Sequence, residues 1–136
     1  PIKNGEVVLI ENKVGVDIAT IIKIKPIYYE YNKADITPTA AVELDKIVTF
    51  LKDNPTVFIE LASHTDARGS ARYNFKLSDR RAKSAAKYIQ GKIDNPKRIY
   101  GKGYGESKLK NKCTDRADCT EEQHAENRRT EFTIVK

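Results

Sequence analysis

The chain has 136 residues, 39% of them hydrophobic and 32% charged, with 7 glycines and 5 prolines. This is the size and balance of one globular domain with a modest core, and it excludes a disordered or fibrous protein. The excess of 25 Lys and Arg over 19 Asp and Glu, a net charge of +6, admits an anionic partner, but the basic residues are scattered and do not alternate with stacking aromatics, so nucleic acid is not expected. No apolar run approaches the roughly 18 to 20 residues of a membrane span, so membrane association is expected only through missing N-terminal regions.

The chain begins at Pro1, without Met or an apolar leader, which suggests that a leader or preceding domains have been removed. Residues 1–20 carry two apolar runs, 7–10 and 14–18, around Glu11, Asn12 and Lys13; they predict a strand pair or a linker from a preceding domain, with residues 21–136 as the domain proper. Residues 21–31 are rich in β-branched and aromatic side chains and predict a strand ending near Tyr31 and Asn32. Pro26 cannot donate to a ladder, which argues for an edge position or a break there.

Thr37 and Pro38 have the character of an N-cap and first helical residue, and Ala40, Ala41, Leu44, Ile47, Val48 and Leu51 follow at helical spacing until Asn54 and Pro55 stop the run. Val57, Ile59 and Leu61 alternate as a second strand over 56–62, and Ser63, His64, Thr65 and Asp66 lead into a loop at Gly69. Residues 70–90 predict another helix, ended by Gly91. Residues 99–104 predict a short strand broken by Gly101, Gly103 and Gly105, and residues 129–135 a closing strand with Thr130, Phe132 and Ile134 on one face. The order β-α-β-α-β-β predicts an α+β fold, a two-layer sandwich with helices on one face of a mixed sheet.

Cys113 and Cys119 are the two cysteines, close together in a stretch of turn-forming and charged residues. A disulfide closing this small loop suits an oxidising compartment. The alternative, zinc held with His64 and His124, matches no C-x2-C spacing, and neither a metal nor another cofactor is expected.

On the helix over 70–90, Tyr73, Leu77, Ala85, Tyr88 and Ile89 share one broad face, and Lys76, Asp79, Arg80, Lys83 and Lys87 the opposite one. Asn74 and Arg81 project from the first. Arg80 therefore belongs to the solvated stripe, whereas Arg81 is carried toward the core side, where an unpaired guanidinium is costly, and needs an anionic partner. Spacing alone leaves open a structural ion pair to Asp66 or Glu60. Asp66, between a strand and a glycine, reads equally as a turn residue satisfying backbone N–H groups.

The ordered pattern His64-Thr65-Asp66-Ala67-Arg68-Gly69, Tyr73-Asn74, Leu77-Ser78-Asp79-Arg80-Arg81-Ala82, Gly101-Lys102-Gly103-Tyr104-Gly105-Glu106 and Asn127-Arg128-Arg129-Thr130-Glu131-Phe132 resembles the OmpA C-terminal (OmpA/MotB-like) family from about Ile21 to the end. Cys113, Cys119 and the segment Glu121-Glu122-Gln123-His124 resemble the version found in Bacteroidota. The resemblance implies a peptidoglycan-binding module in the periplasm, tethered to the outer membrane in the full-length protein, whose ligand is the diaminopimelate residue of the stem peptide. By resemblance, Asp66 takes that zwitterion's ammonium and Arg81 its carboxylate, which suits a planar guanidinium donating two parallel hydrogen bonds. Asn32 and Arg128 map onto pocket-forming positions, with Thr65 and Asn74 in support. Only one of Arg128 and Arg129 can face the pocket, because neighbours on a strand alternate.

Other classes fare worse. Ser63, His64 and Asp66, or Asp66 and Glu60 as an acid and base pair, offer a weak start for an enzyme, since no H-E-x-x-H or G-x-S-x-G pattern accompanies them. The glycines around Lys102 lack the G-K-[ST] order of a phosphate loop and read as turn glycines. The runner-up is an envelope protein-protein interaction module of the same fold, with homodimerisation as one form of it.

Overall fold

The computed structural model describes residues 14–115 and 117–136. A three-stranded mixed sheet runs β2-β1-β3, with β1 (Ile59–His64) central, β2 (Ile99–Gly105) parallel to it and β3 (Arg129–Ile134) antiparallel. Helices α1 (Pro38–Asp53) and α2 (Ala71–Gln90) cover one face, and a short α3 (Glu121–Ala125) precedes β3. The two-layer α+β architecture expected from the sequence is therefore observed. No helix among the described residues is long and apolar enough to cross a membrane.

The helix boundaries follow local chemistry. Thr37 caps α1 by accepting the Ala40 N–H at 3.1 Å, and Pro38 opens the helix where its missing N–H costs nothing. Ser70 caps α2 in the same way, through the Tyr73 N–H at 3.2 Å. Leu44, Ile47 and Leu51 from α1 meet Ile59, Leu61, Ile99, Phe132 and Ile134 from the sheet in one core, with Ala82, Ala85 and Ile89 from α2.

Residues 21–31 form no strand: residues 21–23 and 31 lie in turns, and residues 24–30 belong to no ladder. Three bonds explain this. The end of β3 is already occupied, because Gly15 N–H donates to Ile134 O at 2.7 Å and Ile134 N–H to Val16 O at 2.9 Å. The Lys25 N–H is taken by Glu43 Oε1 of α1 at 2.7 Å, and Pro26 has no N–H to offer. Of the two apolar N-terminal runs, residues 7–10 lie outside the described residues. The other runs beside β3, bridges Thr133 through Asp17, and turns into a 3-10 helix (Ile18–Thr20) whose Ile18 is fully buried.

The expected break of β2 at its glycines is likewise corrected: the strand is continuous, and Gly101 and Gly103 are contact points rather than turn residues. A Cβ on Gly101 would stand 2.2 Å from Ala82 O, and one on Gly103 2.2 Å from Asp79 N. The sheet can thus approach α2 backbone to backbone. This shifts the buried stripe of α2 onto Ser78, Ala82 and Ala86 as well as Leu77, Ala85 and Ile89, and leaves Tyr73 exposed. Asp79 also leaves the expected solvated stripe and accepts the Gly103 N–H at 3.1 Å.

The other face of the sheet is polar. Glu60 accepts hydrogen bonds from the hydroxyls of Tyr100 and Tyr104 at 2.8 and 2.7 Å. His64 stacks on Tyr104 and places Nε2 3.2 Å from Glu131 Oε1. Burial pushes the His64 imidazole below its ordinary pKa, with Arg129 acting the same way and Glu131 against it.

Candidate functional site

The loop after β1 carries Thr65 and Asp66. Thr65 N–H continues the pairing to Gly105 O at 2.9 Å, and its hydroxyl donates to Asp66 O at 2.8 Å. Asn74, buried on α2, ties the loop down from below: its Nδ2 donates to Arg68 O at 3.1 Å and to Glu106 Oε1 at 2.9 Å, with a longer contact of 3.3 Å to Asp66 O. Thr65 and Asn74 thus hold the loop that presents Asp66.

Asp66 Oδ1 accepts the Arg68 N–H at 3.0 Å, and its Oδ2 accepts Arg68 Nη2 at 2.9 Å and Arg128 Nη1 at 2.7 Å. The turn reading of Asp66 is therefore realised, and its ion partners are Arg68 and Arg128 rather than Arg81. Burial pushes its carboxyl up, but the hydrogen bonds from Arg68 and Arg128 outweigh that and hold it at about 2, below the ordinary 3.8. A carboxyl depressed on folding adds stability that is complete above the unfolded value and lost as the pH falls through the folded one. Asp66→Asn is therefore expected to be less stable than the parent at pH 5 by about 2 kcal/mol, a gap that closes between about pH 4 and pH 2. Urea titrations across that range measure it, and a gap that stays constant would contradict the pairing.

Arg81 is partly buried on α2, as its helical phase predicts, but meets neither Asp66 nor Glu60. Its Nε donates to Lys33 O at 2.8 Å and its Nη2 to Glu30 O at 3.2 Å, while the guanidinium lies over the Tyr29 ring at 4.7 Å. Those carbonyls come from a turn at Asn32, whose φ of 60° is left-handed, a conformation Asn tolerates better than most residues. Asn32 Oδ1 in turn accepts the Tyr73 hydroxyl. Among the described residues, no carboxylate lies within ion-pair distance of Arg81.

Arg81 and Arg128 line one cavity of about 570 Å³, together with Tyr29, His64 and Arg129. Arg128 also contacts Asp66, so it links that carboxylate to the cavity, which Asp66 itself does not line. Both adjacent arginines line the cavity, against the expectation that only one could face it, because Arg128 precedes β3 and is not bound by its alternation; Arg129 turns to Glu131 at 2.8 Å and Arg128 to Asp66 and Glu121.

Sequence reasoning missed Arg68 and Glu121. Glu121 Oε2 accepts Arg128 Nη2 at 2.6 Å, and its Oε1 is 3.2 Å from Arg68 Nη1. Glu121 opens α3, whose capping box pairs Thr120 with Gln123; the T-x-x-Q spacing was the available signal. Just ahead, Cys113 and Cys119 are bonded with their Cα atoms 6.0 Å apart, so neither sulfur is left as a zinc ligand.

The OmpA family model matches residues 28–127. Outer membrane porin F of Pseudomonas fluorescens is 30% identical over 118 residues, covering 86% of this chain and 35% of that protein. Peptidoglycan-associated lipoprotein of Pseudomonas putida is 33% identical over 114 residues, covering 84% of this chain and 65% of that one. The chain thus spans between about a third and two thirds of these relatives. A solved structure, described as a MotB-like protein from Desulfovibrio vulgaris, shares the fold with a TM-score of 0.69 and 23% identity, covering 80% of this chain and 67% of that one. With 100 consecutive residues under the family model, including Asp66 and Arg81, the chain belongs to the OmpA family.

Proposed function

We propose that this domain binds peptidoglycan non-covalently through the diaminopimelate residue of the stem peptide, and so anchors an outer-membrane protein or lipoprotein to the cell wall from the periplasm. The observation that carries the reading is Arg81. Of the three arginines lining the cavity, Arg128 and Arg129 have carboxylate partners, whereas Arg81 among the described residues is held only by backbone carbonyls and the Tyr29 ring. A guanidinium positioned in this way retains donors for an incoming carboxylate. The name of the Pseudomonas putida relative, a peptidoglycan-associated lipoprotein, points the same way.

A binding role also suits the remaining polar groups better than catalysis. Asp66 is engaged by two arginines and His64 faces Glu131, so neither of these two groups is aimed at a nucleophile.

The domain is expected to sediment with purified sacculi, with Arg81→Ala weakening retention at least tenfold at a cost of only about 1 kcal/mol in stability, since the Glu30 and Lys33 carbonyls it releases can turn to water. Asp66→Asn, which keeps an acceptor for the Arg68 N–H, tests the ammonium contact. Normal pelleting of both variants would remove the assignment. A titration with a diaminopimelate muropeptide against its lysine counterpart, which lacks the side-chain carboxylate, isolates the Arg81 contact; equal binding would refute it.

A further inference from the structure

The ion pairs around Asp66 close into a ring of alternating charge. Asp66 meets Arg68 at 2.9 Å, Arg68 meets Glu121 at 3.2 Å, Glu121 meets Arg128 at 2.6 Å, and Arg128 returns to Asp66 at 2.7 Å. Without Glu121, Asp66 would face two guanidinium groups, and that end of the site would carry a net positive charge. An approaching ammonium would then be repelled. With Glu121 the four groups sum to zero, and each arginine has a second carboxylate to lean on if a ligand cation displaces it from Asp66.

We propose that Glu121 sets the charge that the Asp66 end of the site presents, and thereby the preference for a ligand bearing an ammonium group beside its carboxylate. This rests on the peptide-binding reading above and adds a residue that determines specificity.

A purely structural role for Glu121 fits the structure less well. Its side chain is 63% exposed, and ion pairs at such positions contribute little to stability. The helix it opens is secured by other means: the capping box closes through Gln123 N–H to Thr120 Oγ1 at 3.1 Å and Thr120 N–H to Gln123 Oε1 at 2.8 Å. Asn111 Nδ2 donates to Gln123 O at 2.9 Å, and the Cys113–Cys119 bridge ends one residue before the cap. These features fix where Glu121 stands without depending on its charge. What its carboxylate adds is the neutralisation of Arg68 and Arg128.

The test compares two probes on the intact domain: a diaminopimelate muropeptide, and the same muropeptide acetylated on the side-chain amine, which keeps the carboxylate but loses the positive charge. The parent is expected to favour the free amine. In Glu121→Gln that preference should fall roughly tenfold, the scale of one unit charge acting over several ångströms near a protein surface, and Glu121→Asp should restore most of it. An unchanged preference ratio in Glu121→Gln would overturn the inference while leaving the binding reading intact. Equal weakening of both probes would also overturn it, by reducing Glu121 to a structural residue. Failure of the parent to bind either probe would remove both readings.

Discussion

Arg98→Ala is expected to lower stability by about 3 kcal/mol, the cost of taking the guanidinium donors from three buried carbonyls, of which Asn54 O alone is seen to keep a second donor, the Val57 N–H, and of leaving a void beside them. Arg98 is buried, and its guanidinium donates to Val57 O at 3.0 Å, Leu51 O at 2.8 Å and Asn54 O at 2.6 Å. The Leu51 and Asn54 carbonyls belong to the end of α1, where the last turn has no intrahelical donors left and the helix dipole is negative. A single side chain from a 3-10 turn (Pro96–Arg98) therefore caps α1 and fastens it to the start of the sheet. Burial holds the Arg98 pKa below its ordinary value, yet the group stays charged at any pH where the protein folds. Arg98→Met, which keeps most of the volume, separates the lost hydrogen bonds from the cavity. Thermal and urea unfolding of both variants would measure the effect, and a change under about 1 kcal/mol for alanine would show that water satisfies these carbonyls instead.

Gly103→Ala and Gly101→Ala should be about as damaging, at ~3 kcal/mol or more, because the added methyl meets backbone rather than a movable side chain. At Gly103 the new carbon would lie 2.2 Å from Asp79 N and 2.4 Å from Asp79 Cα; at Gly101 it would lie 2.2 Å from Ala82 O. Strand and helix would have to separate, loosening Ser78 Oγ from the Gly105 N–H it now accepts at 2.9 Å. For a chain of this size the melting temperature should fall by roughly 10 °C. Gly91→Ala is the control, since its nearest neighbours would be at 3.7 Å, and it should change stability by well under 1 kcal/mol. Similar behaviour of all three variants would contradict the close approach of β2 and α2.

The parts of this fold legible in the sequence are those decided by neighbours along the chain. Thr37-Pro38, Ser70, Asn54-Pro55 and Gly91 mark helix ends through local hydrogen bonding, and the phase of α2 separates Arg80 from Arg81 without reference to anything distant. Local signals fail where a distant group takes over a backbone atom. Residues 21–31 have strand-like composition, but Glu43 claims the Lys25 N–H and residues 15–16 claim the end of β3. The glycines of β2 resemble turn residues until α2 is laid against them. Arg98 gives no sequence signal, because its acceptors lie 41 to 47 residues earlier. In the site, Asp66, Arg81 and Arg128 stand at positions marked by resemblance, but Arg81's actual acceptors depend on the left-handed turn at Asn32, and the ring through Glu121 depends on a helix too short to show periodicity.

The run of residues 15–17 along β3 has a mechanical consequence. In the proposed anchoring role, a pull applied at residue 14 would first meet the Gly15–Ile134 and Val16–Ile134 hydrogen bonds, then the Asp17 carboxylate that accepts the Phe132 N–H at 2.9 Å. Ile18 is the first fully buried side chain behind them. These contacts form a short strip at the edge of the sheet, outside the helices and strands that carry Arg81 and Asp66.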